Sequence, residues 1–209
     1  MPHETKPAKI NPNSRAEMLA TVRKQKVPPA ELPSLDQKWT TYENRVEKFQ
    51  ELLESIGGVF VPVQNEQEIA DYLKTMPVVQ QAKMVVSLIP ELLAGNFDLG
   101  QVEDPHELEP VDFFLLRGEL GVAENSAIWL TDREMKHRIV LFITQHLSMV
   151  IRASTIVSNM YEAYQKISVS DRPYGTFHAG PSKTADIEQS LVIGAHGPRS
   201  LTVFCLLDT

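Results

Sequence analysis

The sequence predicts an α/β protein: a mixed, mainly parallel sheet flanked by helices, with an antiparallel portion in its second half. Three observations carry this expectation. Helical and strand-like patterns alternate between residues 40 and 89, the rhythm of a parallel sheet covered by helices. Short strand-like runs then crowd between residues 113 and 151, too close together for crossover helices, which implies antiparallel hairpins. The length of 209 residues, with 43% hydrophobic and 22% charged residues, suits one sizeable core with an appended arm.

Residues 1–37 form that arm. They hold six of the fourteen prolines and one helix candidate over residues 14–26, capped by Asn13 or Ser14 and stopped by Pro28. An arm of this kind packs on its own domain or on a partner chain, which leaves a homo-oligomer open. Residues 38–209 read as the domain. From residue 40 to 55 the apolar positions Tyr42, Val46, Phe49, Leu52 and Leu53 recur at helical spacing. Gly57 and Gly58 end that helix, and residues 59–63 follow as a strand. Asn65 caps a second helix carrying Ile69, Tyr72 and Leu73. Residues 83–89 are a continuous apolar run bounded by Pro90, and residues 91–110 are a polar, acidic connection.

The strand-rich block comprises residues 113–116, 118–123, 126–130, 138–143 and 147–151, with the capping-box pattern of residues 131–134 allowing one helical turn. Ser154 or Thr155 starts a further helix bearing Ile156, Val157, Met160, Tyr161 and Tyr164. A strand over 174–178, a helix start within 180–188 and a strand over 201–207 complete the expected order.

Composition excludes several function classes. A net charge of -7 and a pI near 5.4 leave no basic footprint for nucleic acid. The short run Arg23, Lys24, Lys26 is flanked by prolines and reads as a solvated helix end. Cys205 is the one cysteine, so a single chain holds neither an internal disulfide nor an iron–sulfur cluster, which needs several thiolates. It lies in the apolar run 201–207 and reads as a buried small hydrophobe. The polar N-terminus and the absence of any apolar stretch near the ~20 residues of a spanning helix point to a cytoplasmic protein without a membrane segment. The six histidines form no ligand-spaced pair, so no metal site is expected, and there is neither a P-loop nor a dinucleotide-binding glycine motif.

Two segments could carry chemistry. The first is GPSKTADIE at 180–188, followed by GAHGPR at 194–199. Glycines and hydroxyls between a strand and a helix start offer backbone N–H groups to an anion. Gly180, Ser182, Lys183, Thr184, Asp186, His196 and Gly197 are the candidate ligand-binding residues there, for a small carboxylate or phosphate. The same composition suits a well-capped helix with no ligand. The second is GVAENSAIW at 121–129, where Glu124 could act as base or nucleophile with Asn125 beside it. Glu-Asn-Ser is equally good composition for a hairpin turn.

Both segments resemble the marked motifs of the LUD-domain family, in the right order across the C-terminal half, and the lactate utilization proteins of type C within it. The resemblance implies a fold like that of coenzyme A transferases and sugar-phosphate isomerases. It further implies an accessory subunit of L-lactate oxidation to pyruvate, with no cofactor of its own and iron–sulfur clusters carried by partner proteins. Glu-Asn also resembles the glutamate motif of coenzyme A transferases, which makes Glu124 the candidate catalytic residue of an independent transferase- or isomerase-like enzyme. A regulatory module that binds a small carboxylate is the third reading. The sequence departs from the family at Ser126, where a glycine commonly follows the Glu-Asn pair.

Overall fold

In the computed structural model, residues 13–25, 30–168, 174–184 and 192–208 are described. The chain divides into two compact units, Met1–Lys38 and Trp39–Thr209. In the first, helix α1 (Ser14–Lys24) has no buried residue. It ends two residues before the expected limit at Lys26, and residues 26–29 lie outside the described residues.

In the second unit, α2 spans Arg45–Ser55. It starts five residues after the expected start at Thr40, because the Asn44 side chain accepts the Glu47 N–H and fixes the first turn. The chain before it is tied elsewhere: the Tyr42 N–H donates to Ser158 Oγ at 3.3 Å. Gly57, in the left-handed region with φ 85°, turns the chain into β1 (Val59–Val63). Asn65 caps α3 (Glu66–Thr75), and a single turn, α4 (Pro77–Gln80), leads to β2 (Val85–Ser87). The acidic connection carries two short 3-10 turns, then β3 (Phe113–Arg117), β4 (Leu120–Val122) and β5 (Ala127–Thr131) follow. The rest is α5 (Val140–Ile143), β6 (His146–Arg152), β7 (Ile156–Val157), α6 (Met160–Lys166), β8 (Gly175–His178), β9 (Lys183–Thr184), β10 (Val192–Ile193) and β11 (Ser200–Leu206).

The main sheet has the order β1-β11-β6-β3-β2 and is parallel throughout. Its inner strands β3, β6 and β11 are buried on both faces, which is why residues 113–116, 147–151 and 201–206 read as nearly continuous apolar runs. One face carries Val85, Phe113, Leu115, Val150 and Phe204 and is covered by Ile69 and Leu73 of α3. The other carries Phe114, Leu147, Met149, Ile151, Val203 and Cys205 against Phe49 and Leu53 of α2 and against Ile128 and Ile156 of a second sheet. That second sheet, β7-β4-β5-β8, is mixed: β4 pairs antiparallel with β5, β5 antiparallel with β8, and β4 parallel with β7. Its outer face, with Leu120, Val122 and Trp129, packs under α6 through Ala163. Cys205 is fully buried, and burial pushes its thiol up to about 12, so it stays a neutral hydrophobe. No helix among the described residues is long and apolar enough to cross a membrane.

Four expectations about elements are corrected. Residues 138–143 form a helical turn rather than a strand: Val140 and Leu141 are buried while Ile139 and Phe142 are exposed, a pattern no alternating strand produces. Residues 153–157 do not begin the expected α-helix: Ala153–Thr155 is a single 3-10 turn. Thr155 Oγ1 donates to the Arg152 carbonyl, Ile156 and Val157 pair with β4, and α6 waits for Asn159, whose side chain accepts the Glu162 N–H. The crowded block is not a run of hairpins, because β3 and β6 are parallel neighbours and only β4–β5 is one. Of the helix start expected within 180–188, residues 180–184 are not helical, since Lys183 and Thr184 pair with Ile193 and Val192 as an antiparallel ribbon, and residues 185–188 lie outside the described residues.

The β4–β5 hairpin turn places Ser126 at φ 53°, the one non-glycine residue with positive φ among the described residues. Its neighbour Asn125 closes the turn by accepting the Ala127 N–H at 3.0 Å. A left-handed residue with a side chain costs about 1–2 kcal/mol, offset by the roughly 0.5–1 kcal/mol of extra unfolded-chain entropy that glycine brings. Ser126→Gly is therefore expected to raise the unfolding free energy by about 0.5–1 kcal/mol, and Ser126→Val to lower it by at least as much, as read by urea titration.

Candidate functional site

The two parts of the first motif segment, 180–184 and 194–198, meet through Ser182. Its N–H donates to the Pro198 carbonyl at 2.8 Å, its carbonyl accepts the Gly194 N–H at 2.9 Å, and its hydroxyl donates to the His196 carbonyl. Three bonds from one residue staple segment 180–184 onto segment 194–198. The approach is close enough to require glycine at 197: at φ 105°, an added Cβ would lie 3.0 Å from the Phe142 carbonyl oxygen and 3.1 Å from Ser182 Cβ.

The stapled segments enclose a cleft of about 440 Å³. Gly180, Ser182, Lys183, His196 and Gly197 all line it, so the structure brings together five of the seven ligand residues expected from these segments. Ile56 and Phe142 supply an apolar wall. Thr184 is carried away into the ribbon, and Asp186 lies outside the described residues. Residues 180–184 begin no helix, so no helix N-terminus among the described residues of this segment faces the cleft. The donors are others. The Ser182 hydroxyl is spent on His196, but the N–H groups of His196 and Gly197 have no acceptor among the described residues. The Lys183 ammonium makes no ion pair there. Among the described residues that line it there is no carboxylate, in a chain of net charge -7. A small anion fits such a surface.

The cleft opens at the amino edge of the main sheet, since His196–Pro198 precede β11 and Phe142 precedes β6. It is not at the carboxyl-end crevice of that sheet, where open α/β sheets usually bind ligands, although its Gly180–Lys183 side follows the carboxyl end of β8 in the small sheet.

Glu124 does not line the cleft. Its Oε1 accepts the Met160 N–H at 2.6 Å, at the start of α6, and its own N–H donates to the Ser158 carbonyl at 3.0 Å. The carboxylate is thus engaged by the first N–H of α6, which occupies it. Asn125 is exposed and serves the hairpin turn. Loss of this anchor by Glu124→Ala is expected to cost about 1 kcal/mol in chemical denaturation, whereas Glu124→Gln, which keeps an acceptor oxygen, costs less.

His178 went unnoticed as a site residue. Strand β8 sets it beside Ile128, on the face turned to the core, and it borders the cleft. Its Nε2 is buried with no partner among the described residues. Burial pushes the imidazole pKa below the usual histidine value, against a smaller opposing pull from a hydrogen bond with the Gly180 backbone. The only sequence signal was its place in the alternation of residues 174–178, which shows a face but not which face is inward. A group with a depressed folded pKa binds fewer protons folded than unfolded, so stability rises with pH across the window between the two values. His178 is therefore expected to make the protein lose stability as pH falls below the usual histidine pKa, with His146, also depressed by burial, acting in the same direction. His178→Gln should reduce the slope of Tm against pH between about 5 and 7. An unchanged slope would mean that His178 is not held neutral.

The sequence model of the LUD domain matches residues 101–206, from the acidic connection through β11. Lactate utilization protein C of Bacillus pumilus is 28% identical over 119 residues, covering 54% of this chain and 49% of that protein. The protein of the same name from Anoxybacillus flavithermus is 33% identical over 91 residues, 43% of this chain and 41% of its own length. The chain thus spans about half the length of the curated relatives it matches. The crystal structure of a DUF162 family protein from Deinococcus radiodurans superposes with a TM-score of 0.61 at 21% identity, over 78% of this chain and 96% of that one, which establishes the shared fold. The sequence match spans both the Glu124 turn and the stapled cleft, and with it covering half of its length, the chain belongs to the LUD-domain family.

Proposed function

We propose that this chain is an accessory component of L-lactate oxidation, and that its cleft holds a small carboxylate such as lactate or pyruvate. The observation that carries this reading is the convergence of Gly180, Ser182, Lys183, His196 and Gly197 on one cleft with no carboxylate among its described lining residues, in a family whose similar members are named for lactate utilization. In this reading His196 and Gly197 N–H groups and the Lys183 ammonium hold the carboxylate, while Ile56 and Phe142 shield it from water. As the family resemblance implies, electrons from lactate pass in this reading through iron–sulfur clusters on partner proteins, which agrees with a sequence whose single cysteine cannot hold a cluster. The chain contributes binding and positioning rather than redox chemistry of its own.

Deleting the gene is expected to abolish growth on L-lactate, with wild type restoring it and Gly197→Val, which fills the staple, failing to. Normal growth of the deletion strain, with no second copy present, would contradict the reading. In calorimetric titration, Lys183→Ala should weaken lactate or pyruvate binding about tenfold or more, since a charge-assisted hydrogen bond contributes roughly 1.5–3 kcal/mol.

A further inference from the structure

A second cavity, of about 430 Å³, lies at the opposite end of the small sheet from the Glu124 turn. Its floor is apolar: Leu120 of β4, Trp129 of β5 and Ile167 after α6. The Trp129 ring takes its place because residue 175 on the neighbouring strand is glycine, where a Cβ would stand 2.1 Å from Trp129 Cζ2. This end of the small sheet adjoins the carboxyl ends of β3 and β6: the Gly118 N–H bonds the Val150 carbonyl, and Ser154 and Thr155, just after β6, are on the cavity wall. That is where parallel sheets most often bind ligands.

Two charges face the cavity, and neither has a protein counter-charge among the described residues. Glu119 is oriented by the Thr131 hydroxyl, which donates to its Oε1 at 2.5 Å, but no cation pairs with it. Lys166, at the end of α6, makes no ion pair. A ligand with only a carboxylate would satisfy Lys166 and be repelled by Glu119. A ligand with only an ammonium would do the reverse. A molecule carrying both, with an apolar tail for the Trp129 floor, satisfies all three parts at once.

We propose that this cavity binds an apolar α-amino acid as its zwitterion, with the ammonium on Glu119, the carboxylate on Lys166 and the side chain against Leu120, Trp129 and Ile167. The site is separate from the carboxylate cleft and does not depend on that cleft's ligand. Nearly all of its hydrogen-bonding capacity lies in side chains, so it can be altered without touching either sheet.

The test is a thermal-shift and calorimetric series on the full chain with leucine, phenylalanine and methionine. Each is compared with its N-acetyl derivative, which lacks the ammonium, and its amide, which lacks the carboxylate. The expected result is a rise in Tm of several degrees with at least one free amino acid at millimolar concentration, and affinity at least tenfold weaker for both derivatives. Glu119→Gln, which keeps an acceptor for Thr131, and Lys166→Met should each remove the effect while leaving the Tm without ligand nearly unchanged. The proposal is overturned if no apolar amino acid binds, if the N-acetyl or amide form binds as tightly as the free amino acid, or if binding survives both substitutions. A lactate-induced shift that persists in Glu119→Gln belongs to the other cleft and leaves this result readable.

Discussion

Everything in this domain depends on the insertion of β11 between β1 and β6. Residues 200–206 pair in parallel with 59–63 on one side and with 146–152 on the other, closing the middle of a sheet whose partners come from distant parts of the chain. Leu201, Val203, Phe204 and Cys205 are fully buried in consequence, on both faces. Until β11 is in place, β1 has no neighbour in the sheet and neither α2 nor α3 has a continuous surface to cover. The insertion also has a functional effect. It delivers segment 194–199 to the amino edge of the sheet, where the Arg199 N–H bonds the Gln145 carbonyl and Ser182 can staple the loop. The cleft is a by-product of how the sheet is closed.

The fold was legible where one signal dominated. Residues 113–116, 147–151 and 201–206 read as strands because their apolar runs carry no polar alternation, although the sequence reading put the first two among antiparallel hairpins and the structure makes them parallel neighbours, and Asn65 marked the start of α3 by its cap. It was not legible where two structures share one signal. A six-residue apolar run such as 138–143 fits a strand or a buried helical turn equally, and only packing decides. Ser154 and Thr155 offered a helix cap, but Asn159 offered a better one five residues on from Ser154, and Ile156 and Val157 found a strand partner in β4. Local pattern also could not foresee that two short sheets would stack, since Ile128 and Ile156 meet Phe49 only through tertiary contact.

The site shows the same division. Glycines and hydroxyls in two nearby segments pointed to Gly180, Ser182, Lys183, His196 and Gly197, and these do converge. Their roles differ from those the pattern suggested, because the partner of Ser182 lies fourteen residues away and turns a would-be anion donor into a structural staple. Glu124 looked like a catalytic carboxylate because a turn and a helix start can both use one, and the structure gives it to the start of α6. Ser126 was the reverse case: its departure from the family pattern pointed to a glycine-favouring position, and the backbone there is left-handed. The Glu119 and Lys166 cavity had no linear signature, since its parts come from β4, β5 and the end of α6.

The proposed place for a small carboxylate is the cleft between the stapled segments 180–184 and 194–198. Titrating L-lactate and pyruvate into ¹⁵N-labelled protein and following the amide signals tests it residue by residue. The account predicts saturable shifts largest at Gly180, Lys183, His196 and Gly197, with the Ser182 signal following as its bonds adjust. Shifts confined to other parts of the sheet, or none at millimolar lactate and pyruvate, would contradict it.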